Sequence, residues 1–181
     1  MLATILVGYP WLTPFLLVSF IAASPLLARW LLPRRGLTWA LLWAAVAVVL
    51  ALVFWPTARE MTVSCETYWS IPHPRAVEPF ANLVLFVPPV FFAAVLAGRP
   101  LLAAIGGSAA SAVIELTQAL APALGRSCSA NDWLANSLGA FIGAALAWAA
   151  IAIATRQARP SPRYPQGRPQ ASRRTTRSGR R

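Results

Sequence analysis

The chain has 181 residues, of which 57% are hydrophobic and only 12% charged, and its mean hydropathy is +0.58. That excludes an ordinary soluble domain. The formal net charge of +11 does not point to nucleic acid, because nine of the sixteen basic residues lie in one terminal tail, and all sixteen are Arg.

The first apolar run covers about Ile5 to Leu27 and contains Pro10, Pro14 and Pro25. It has no basic segment before it, so it does not read as a cleaved signal peptide despite Ala22, Ala23 and Ser24. Arg29, Arg34 and Arg35 form a short basic loop, and a second run, rich in Ala, Val and Leu, follows from Thr38 to Trp55. Pro56 to Pro79 is a longer polar loop with Arg59, Glu60, Cys65, Glu66, His73, Arg75 and Glu78. The third run, about Phe80 to Ala97, has Asn82 near its start and Pro88-Pro89 at its middle, a kink that neighbouring helices tolerate in lipid. Gly98-Arg99-Pro100 is a tight turn, the fourth run goes from Leu101 to about Leu120, and the fifth from about Trp133 to Ala154. Runs of this length cross a hydrocarbon core roughly 30 Å thick. The expected fold is therefore all-α, a polytopic bundle of about five spanning helices. Residues 1–37 hold the first helix and basic loop, 38–154 a four-helix membrane unit, and 155–181 a tail too poor in apolar residues to fold alone.

Charge placement sets an orientation. Arg29, Arg34, Arg35, Arg99 and the tail fall on one side, whereas the second loop carries two Arg against three Glu and the fourth loop only Arg126. The positive-inside rule then puts the N-terminus outside and the C-terminus in the cytoplasm. The polybasic tail is expected to lie against anionic lipid, at about 1 kcal/mol per basic residue near the surface. No nucleic-acid partner is expected, since the tail has neither a fold nor an interleaved aromatic platform.

In this orientation Asn82, Glu115, Gln118, Arg126, Asp132 and Asn136 gather in one outer-leaflet layer, with Glu115 about 7 Å deeper than Leu120 at 1.5 Å per residue. Polar groups at such depth are costly and need partners. Gly107, Ser111, Glu115 and Gln118 share one face of the fourth helix, and Asp132, Asn136, Gly139 and Gly143 one face of the fifth. Gly139-xxx-Gly143 would bring these two antiparallel helices close together, chiefly as packing. Arg126 is the expected partner of Glu115, with a structural pair and a functional one about equally favoured, and Gln118 and Asn136 are expected to satisfy one another. Asp132 or Asn131 would cap the fifth helix. His73 lacks a second ligand at metal spacing, so no metal or cofactor is expected, and no catalytic residue is assigned. Tyr68 and Trp69 read as interfacial anchors. Cys65 and Cys128 both fall in outer loops, where the single intramolecular pairing would tie one loop to the other, the alternative being two free thiols.

Glu115-xx-Gln118, followed by Arg126, Asp132, Asn136, Gly139 and Gly143, resembles the VanZ-like integral membrane family, as does Asn82-xxx-Phe86-x-Pro88. The resemblance covers roughly residues 40 to 154. It departs from the family pattern at Pro89, where Leu-Gly commonly follows the proline, and at Asn131, where a second acid often precedes the aspartate. The resemblance implies a bacterial cell-envelope protein associated with low-level resistance to the glycopeptide teicoplanin, which carries a lipid chain and acts on cell-wall precursors outside the membrane. The leading expectation is recognition of an amphiphile, envelope lipid or cell-wall precursor at the outer leaflet, with Arg126 meeting an anionic headgroup and Glu115, Gln118 and Asn136 shaping the helix mouth. A small transporter or a scaffold subunit, with the glycine face mediating oligomerisation, is the alternative. An enzyme on lipid-linked substrates, using Glu115 or Asp132, is less favoured because no nucleophile–base pair or phosphate-cradling loop is visible.

Overall fold

The computed structural model describes residues 8–56, 65–126 and 128–157. Arg59, Glu60 and the tail beyond Gln157, all named above, lie outside the described residues. Among the described residues, five helices are long and apolar enough to cross a membrane: α1 (Leu12–Leu31), α2 (Arg35–Val53), α3 (Val77–Ala97), α4 (Pro100–Leu120) and α5 (Ala130–Gln157). The 21 residues of α3 rise about 31 Å, matching a hydrocarbon core.

The limits of the helices follow local chemistry. Pro14 sits in the first turn of α1, where a missing N–H costs nothing. The helix starts later than the apolar run suggests and continues through Pro25 to Leu31. Helix α3 ends on Gly98, which adopts the left-handed conformation (φ 62°), and Pro100 opens α4. A left-handed glycine stop followed by a proline start allows this short reversal. Pro88 and Pro89 lie inside α3, which stays one continuous helix.

Helix α3 is the centre of the bundle. Of its most apolar stretch 56% is buried inside the protein, against 17–33% for the other spans. Its most extensive partner is α5; α2 and α4 pack on other faces, and α1 leans mainly on α5. Phe91 and Phe92 pack with Phe20 of α1, Ala94, Ala147 and Ala150 toward one end, while Phe86 packs with Val49, Val53 and Ile114 toward the other. Small residues on α5 permit this: Gly139 and Gly143 lie directly on the α3 backbone, where an added Cβ would run into the Leu83 and Val87 carbonyl oxygens. The hydrogen that each Cβ would replace therefore points at a carbonyl, a weak but favourable contact in helix pairs. The glycine motif thus joins α5 to α3 rather than to α4 as expected. Gly107 is the small residue on α4, packed under Val90 and Ala140. Helical periodicity puts Gly139 and Gly143 on one face, but it does not say which neighbour that face meets.

The two ends of the bundle differ chemically. One end holds Arg29, Arg34, Arg35, Arg99 and Arg156. Arg29 donates to Gln157 across the ends of α1 and α5, and Arg35 to the Leu96 carbonyl. The opposite end holds the loop from Cys65 to Ala76, the segment from Ala121 to Arg126, and Cys128 and Ser129. These are called the arginine end and the cysteine end.

Candidate functional site at the cysteine end

The loop before α3 is fastened to the start of α5 in several ways. Cys65 and Cys128 form a disulfide. Around it Cys65–Glu66 (β1) and Cys128–Ser129 (β2) make a two-residue parallel pairing. Asn131 Oδ1 accepts from both the backbone N–H and the hydroxyl of Ser70, at 2.8 and 3.1 Å. Trp69 meets Trp133 edge to face, with centroids 6.2 Å apart. Trp69 is thus held at one edge while still 55% exposed, whereas Tyr68 is more exposed still.

Glu115 is buried at the end of α4, and its Oε2 accepts a 2.8 Å hydrogen bond from the Ser129 backbone N–H. Ser129 in turn accepts at its Oγ from the Asp132 N–H at 3.3 Å. This is the geometry of a helix N-cap, whose hydroxyl satisfies the third helical N–H. In a capping box the acid at that third position bonds back to the cap's own N–H; here Glu115, from the neighbouring helix, does so. Ser129 therefore caps α5, not Asp132 or Asn131, and Glu115 is tied to Ser129 rather than to Arg126.

Arg126 has a different task. Its Nη2 donates to the Leu52 carbonyl at 2.9 Å and its Nε to Trp55 at 3.3 Å. Gln118 Nε2 donates to the carbonyl of Val53 at 3.2 Å. The last carbonyls of α2, which has no basic residue in its own last turn, are thus covered from another part of the chain. A cation at a helix C-terminus satisfies these acceptors and the dipole together.

Gln118 and Asn136 consequently do not pair. Asn136 Nδ2 donates to Ser111 Oγ at 2.9 Å, while its Oδ1 has no hydrogen-bond partner among the described residues. One turn further along, the hydroxyls of Ser108 and Ser137 are 2.8 Å apart, and Trp133 Nε1 donates to the Ser108 carbonyl. Glu115–Ser129, Ser111–Asn136 and Ser108–Ser137 form a polar seam between α4 and α5. Ser108, Ser129 and Ser137 were not singled out in the sequence. Ser108 and Ser111, three residues apart within an apolar helix, were the available signal.

Asp132 remains half-buried at the mouth of the seam. The Asn82 side chain interacts with its carboxylate, and Arg126, Glu78 and Glu66 act on it electrostatically. Asn82 is half-buried as well. Of the six polar residues of the expected layer, Glu115, Gln118 and Asn136 are buried and serve helix ends or the seam, whereas Asn82, Arg126 and Asp132 are only half-buried. His73 accepts at Nδ1 from the backbone N–H of Arg75, and among the described residues no group of three His, Cys, Asp or Glu side chains is placed to hold a metal.

An apolar cleft of about 350 Å³ opens sideways between α1 and α2, floored by α3. Leu16, Phe20, Ala45, Val48, Leu85 and Pro88 line it. Val84, also in its lining, and Leu85 lie two and three residues past Asn82, about 3 and 4.5 Å further along the axis of α3.

These features define a multi-pass membrane protein with a disulfide-fastened polar mouth at one end of a tightly packed α3–α5 core. The family described as VanZ/LLP1 matches residues 37–153, which takes in all of α3 and α4 and most of α2 and α5, and the chain belongs to that family. No curated protein and no solved structure matches the chain.

Proposed function

We propose that this VanZ/LLP1 protein recognises an amphiphile at the outer leaflet of a bacterial plasma membrane, with the head at Asn82, Asp132 and Arg126 and an acyl chain in the cleft between α1 and α2. The supporting observation is that α3 carries both the half-buried Asn82 of the polar surface and, from Val84 onward, the floor of the apolar cleft. Binding sites of this kind are largely apolar with a few placed polar groups. Arg126 presents its charge beside Asp132 while the α2 carbonyls fix its position, and Glu115, Gln118 and Asn136 keep the mouth in shape. The cysteine end faces outward in this reading, because the arginine-rich loops favour the cytoplasmic side. Contribution to low-level teicoplanin resistance follows if the amphiphile is that lipidated drug or the precursor it attacks. The Gly139–Gly143 face is buried against α3, so it lends no support to the rival scaffold reading.

Photocrosslinking tests the cleft. Full-length protein in membranes is exposed to a lipidated glycopeptide with a diazirine at its acyl terminus, and to diazirine-bearing phosphatidylcholine as the bulk-lipid baseline. The glycopeptide is expected to label peptides containing Leu16–Phe20 and Val84–Pro89 above that baseline, and Leu16→Trp to reduce the excess. Labels scattered as for phosphatidylcholine would refute the assignment.

A further inference from the structure

The arginine end carries a second recess, of about 310 Å³, lined by Leu31, Arg35, Thr38, Val95, Leu96 and Gly98. It lies where the α1–α2 turn meets the α3–α4 turn. Arg34 and Arg99 flank it in sequence, next to Arg35 and Gly98. Every acidic residue of the chain falls between positions 60 and 132, and the described ones, Glu66, Glu78, Glu115 and Asp132, belong to the cysteine end or to helix segments leading to it. The arginines at this end therefore have no carboxylate to neutralise them among the described residues.

Their hydrogen-bonding capacity is largely unspent. A guanidinium carries five N–H donors. Among the described residues Arg35 uses one, on the Leu96 carbonyl at 3.4 Å, and Arg34 one, on the Trp30 carbonyl at 2.8 Å. Arg34 also lies over the Trp30 ring, 4.7 Å from its centroid, which holds that charge beside the membrane surface. Trp30 and Trp39 are each 48% exposed. Exposed tryptophans at a helix end mark the depth of lipid headgroups. The recess is thus at headgroup level, with Arg35 in its lining and apolar surface at Leu31 and Val95. Its volume corresponds to about ten waters at ~30 Å³ each, enough for a phosphate and its attached glycerol.

We infer that this recess is a binding site for the phosphate headgroup of an anionic phospholipid, held by Arg35 and Arg99 with Arg34 at its edge. Basic pockets between spanning helices are suited to such headgroups. The apolar lining and the tryptophans select a lipid over a free phosphate, because the chains continue along the exposed faces of Leu32 and Leu37. This site does not rest on the amphiphile reading of the cysteine end and stands or falls separately.

Native mass spectrometry of the full-length protein in nonionic detergent tests it, with phosphatidylglycerol, phosphatidylcholine of the same chains, and soluble glycerol phosphate as probes. The wild type is expected to retain one phosphatidylglycerol in preference to phosphatidylcholine and to leave glycerol phosphate unbound at the same concentration. At about 1 kcal/mol per basic residue near a membrane surface, Arg35→Ala should weaken retention about fivefold and Arg35→Ala with Arg99→Ala about 25-fold. Arg99 is exposed in its turn, so Arg99→Ala alone serves if Arg35→Ala unfolds, with an expected loss of about fivefold. A full-length control with the eight arginines beyond Gln157 changed to Gln should keep the preference. Equal retention of both lipids, an undiminished preference in Arg99→Ala, loss of the preference in the tail control, or equally tight binding of glycerol phosphate would each overturn the assignment.

Discussion

The Glu115 carboxylate accepts a 2.8 Å hydrogen bond from the backbone N–H of Ser129, the residue that caps α5. An acid on one helix thereby completes the N-terminus of the next, and the link lies beside the Cys65–Cys128 disulfide. Glu115→Gln keeps an oxygen acceptor for that N–H, whereas Glu115→Leu leaves the donor without one. A buried donor left unsatisfied costs about 1–3 kcal/mol. Thermal unfolding in detergent should show Glu115→Leu well below the wild type and Glu115→Gln close to it. Equal destabilisation by both would mean that the charge, not the acceptor, matters.

Arg126→Ala should destabilise the protein even without ligand, because the Leu52 and Trp55 carbonyls lose a charged donor. Hydrogen bonds to charged groups contribute about 1.5–3 kcal/mol each at most. The loss should concentrate at the end of α2, read as faster amide hydrogen exchange around Leu52–Trp55. Unchanged exchange there would contradict the capping role.

Gly139→Ala and Gly143→Ala should be among the most damaging small substitutions, since each added methyl meets a carbonyl of α3. Overpacking of a tight contact costs about 1–3 kcal/mol. Gly106→Ala is the control: it has open space around it, and a helical Gly→Ala exchange stabilises by up to about 1 kcal/mol. Similar melting temperatures for all three variants would contradict the close α3–α5 contact.

How much of this was legible in the sequence depended on the kind of signal involved. The five spans could be read because hydrophobic length needs no knowledge of neighbours, and only their ends shifted: α1 runs to Leu31 rather than Leu27, and α5 starts at Ala130 rather than Trp133. Membership of the VanZ/LLP1 family was also carried by spaced residues, from Asn82 to Gly143. The partners were not legible. Glu115, Arg126 and Gln118 all bond to backbone groups, and a backbone N–H or carbonyl has no side-chain identity to betray it. The expected Glu115–Arg126 and Gln118–Asn136 pairs matched side chain to side chain, yet three of these four residues were taken by helix ends and Asn136 by Ser111.

The cysteine bond makes a prediction of its own. It links residues 63 positions apart, and a disulfide closing a loop of tens of residues adds about 2–4 kcal/mol. Alkylation under non-reducing conditions, followed by mass measurement, should find no free thiol, and Cys65→Ser with Cys128→Ser should lower the melting temperature. Two alkylated cysteines in protein taken from membranes would contradict the bond and, with it, an oxidising environment for this end.

The most direct measurement of the central proposal is susceptibility to teicoplanin against vancomycin in a sensitive Gram-positive host. The host would express the intact chain, Asn82→Ala, Asp132→Asn or Arg126→Ala at matched membrane levels. Recognition of a lipidated amphiphile at the polar mouth predicts a teicoplanin-selective shift with the intact chain that Asn82→Ala and Asp132→Asn abolish. A shift that survives both substitutions, or no shift from well-inserted intact protein, would contradict the role assigned to that mouth.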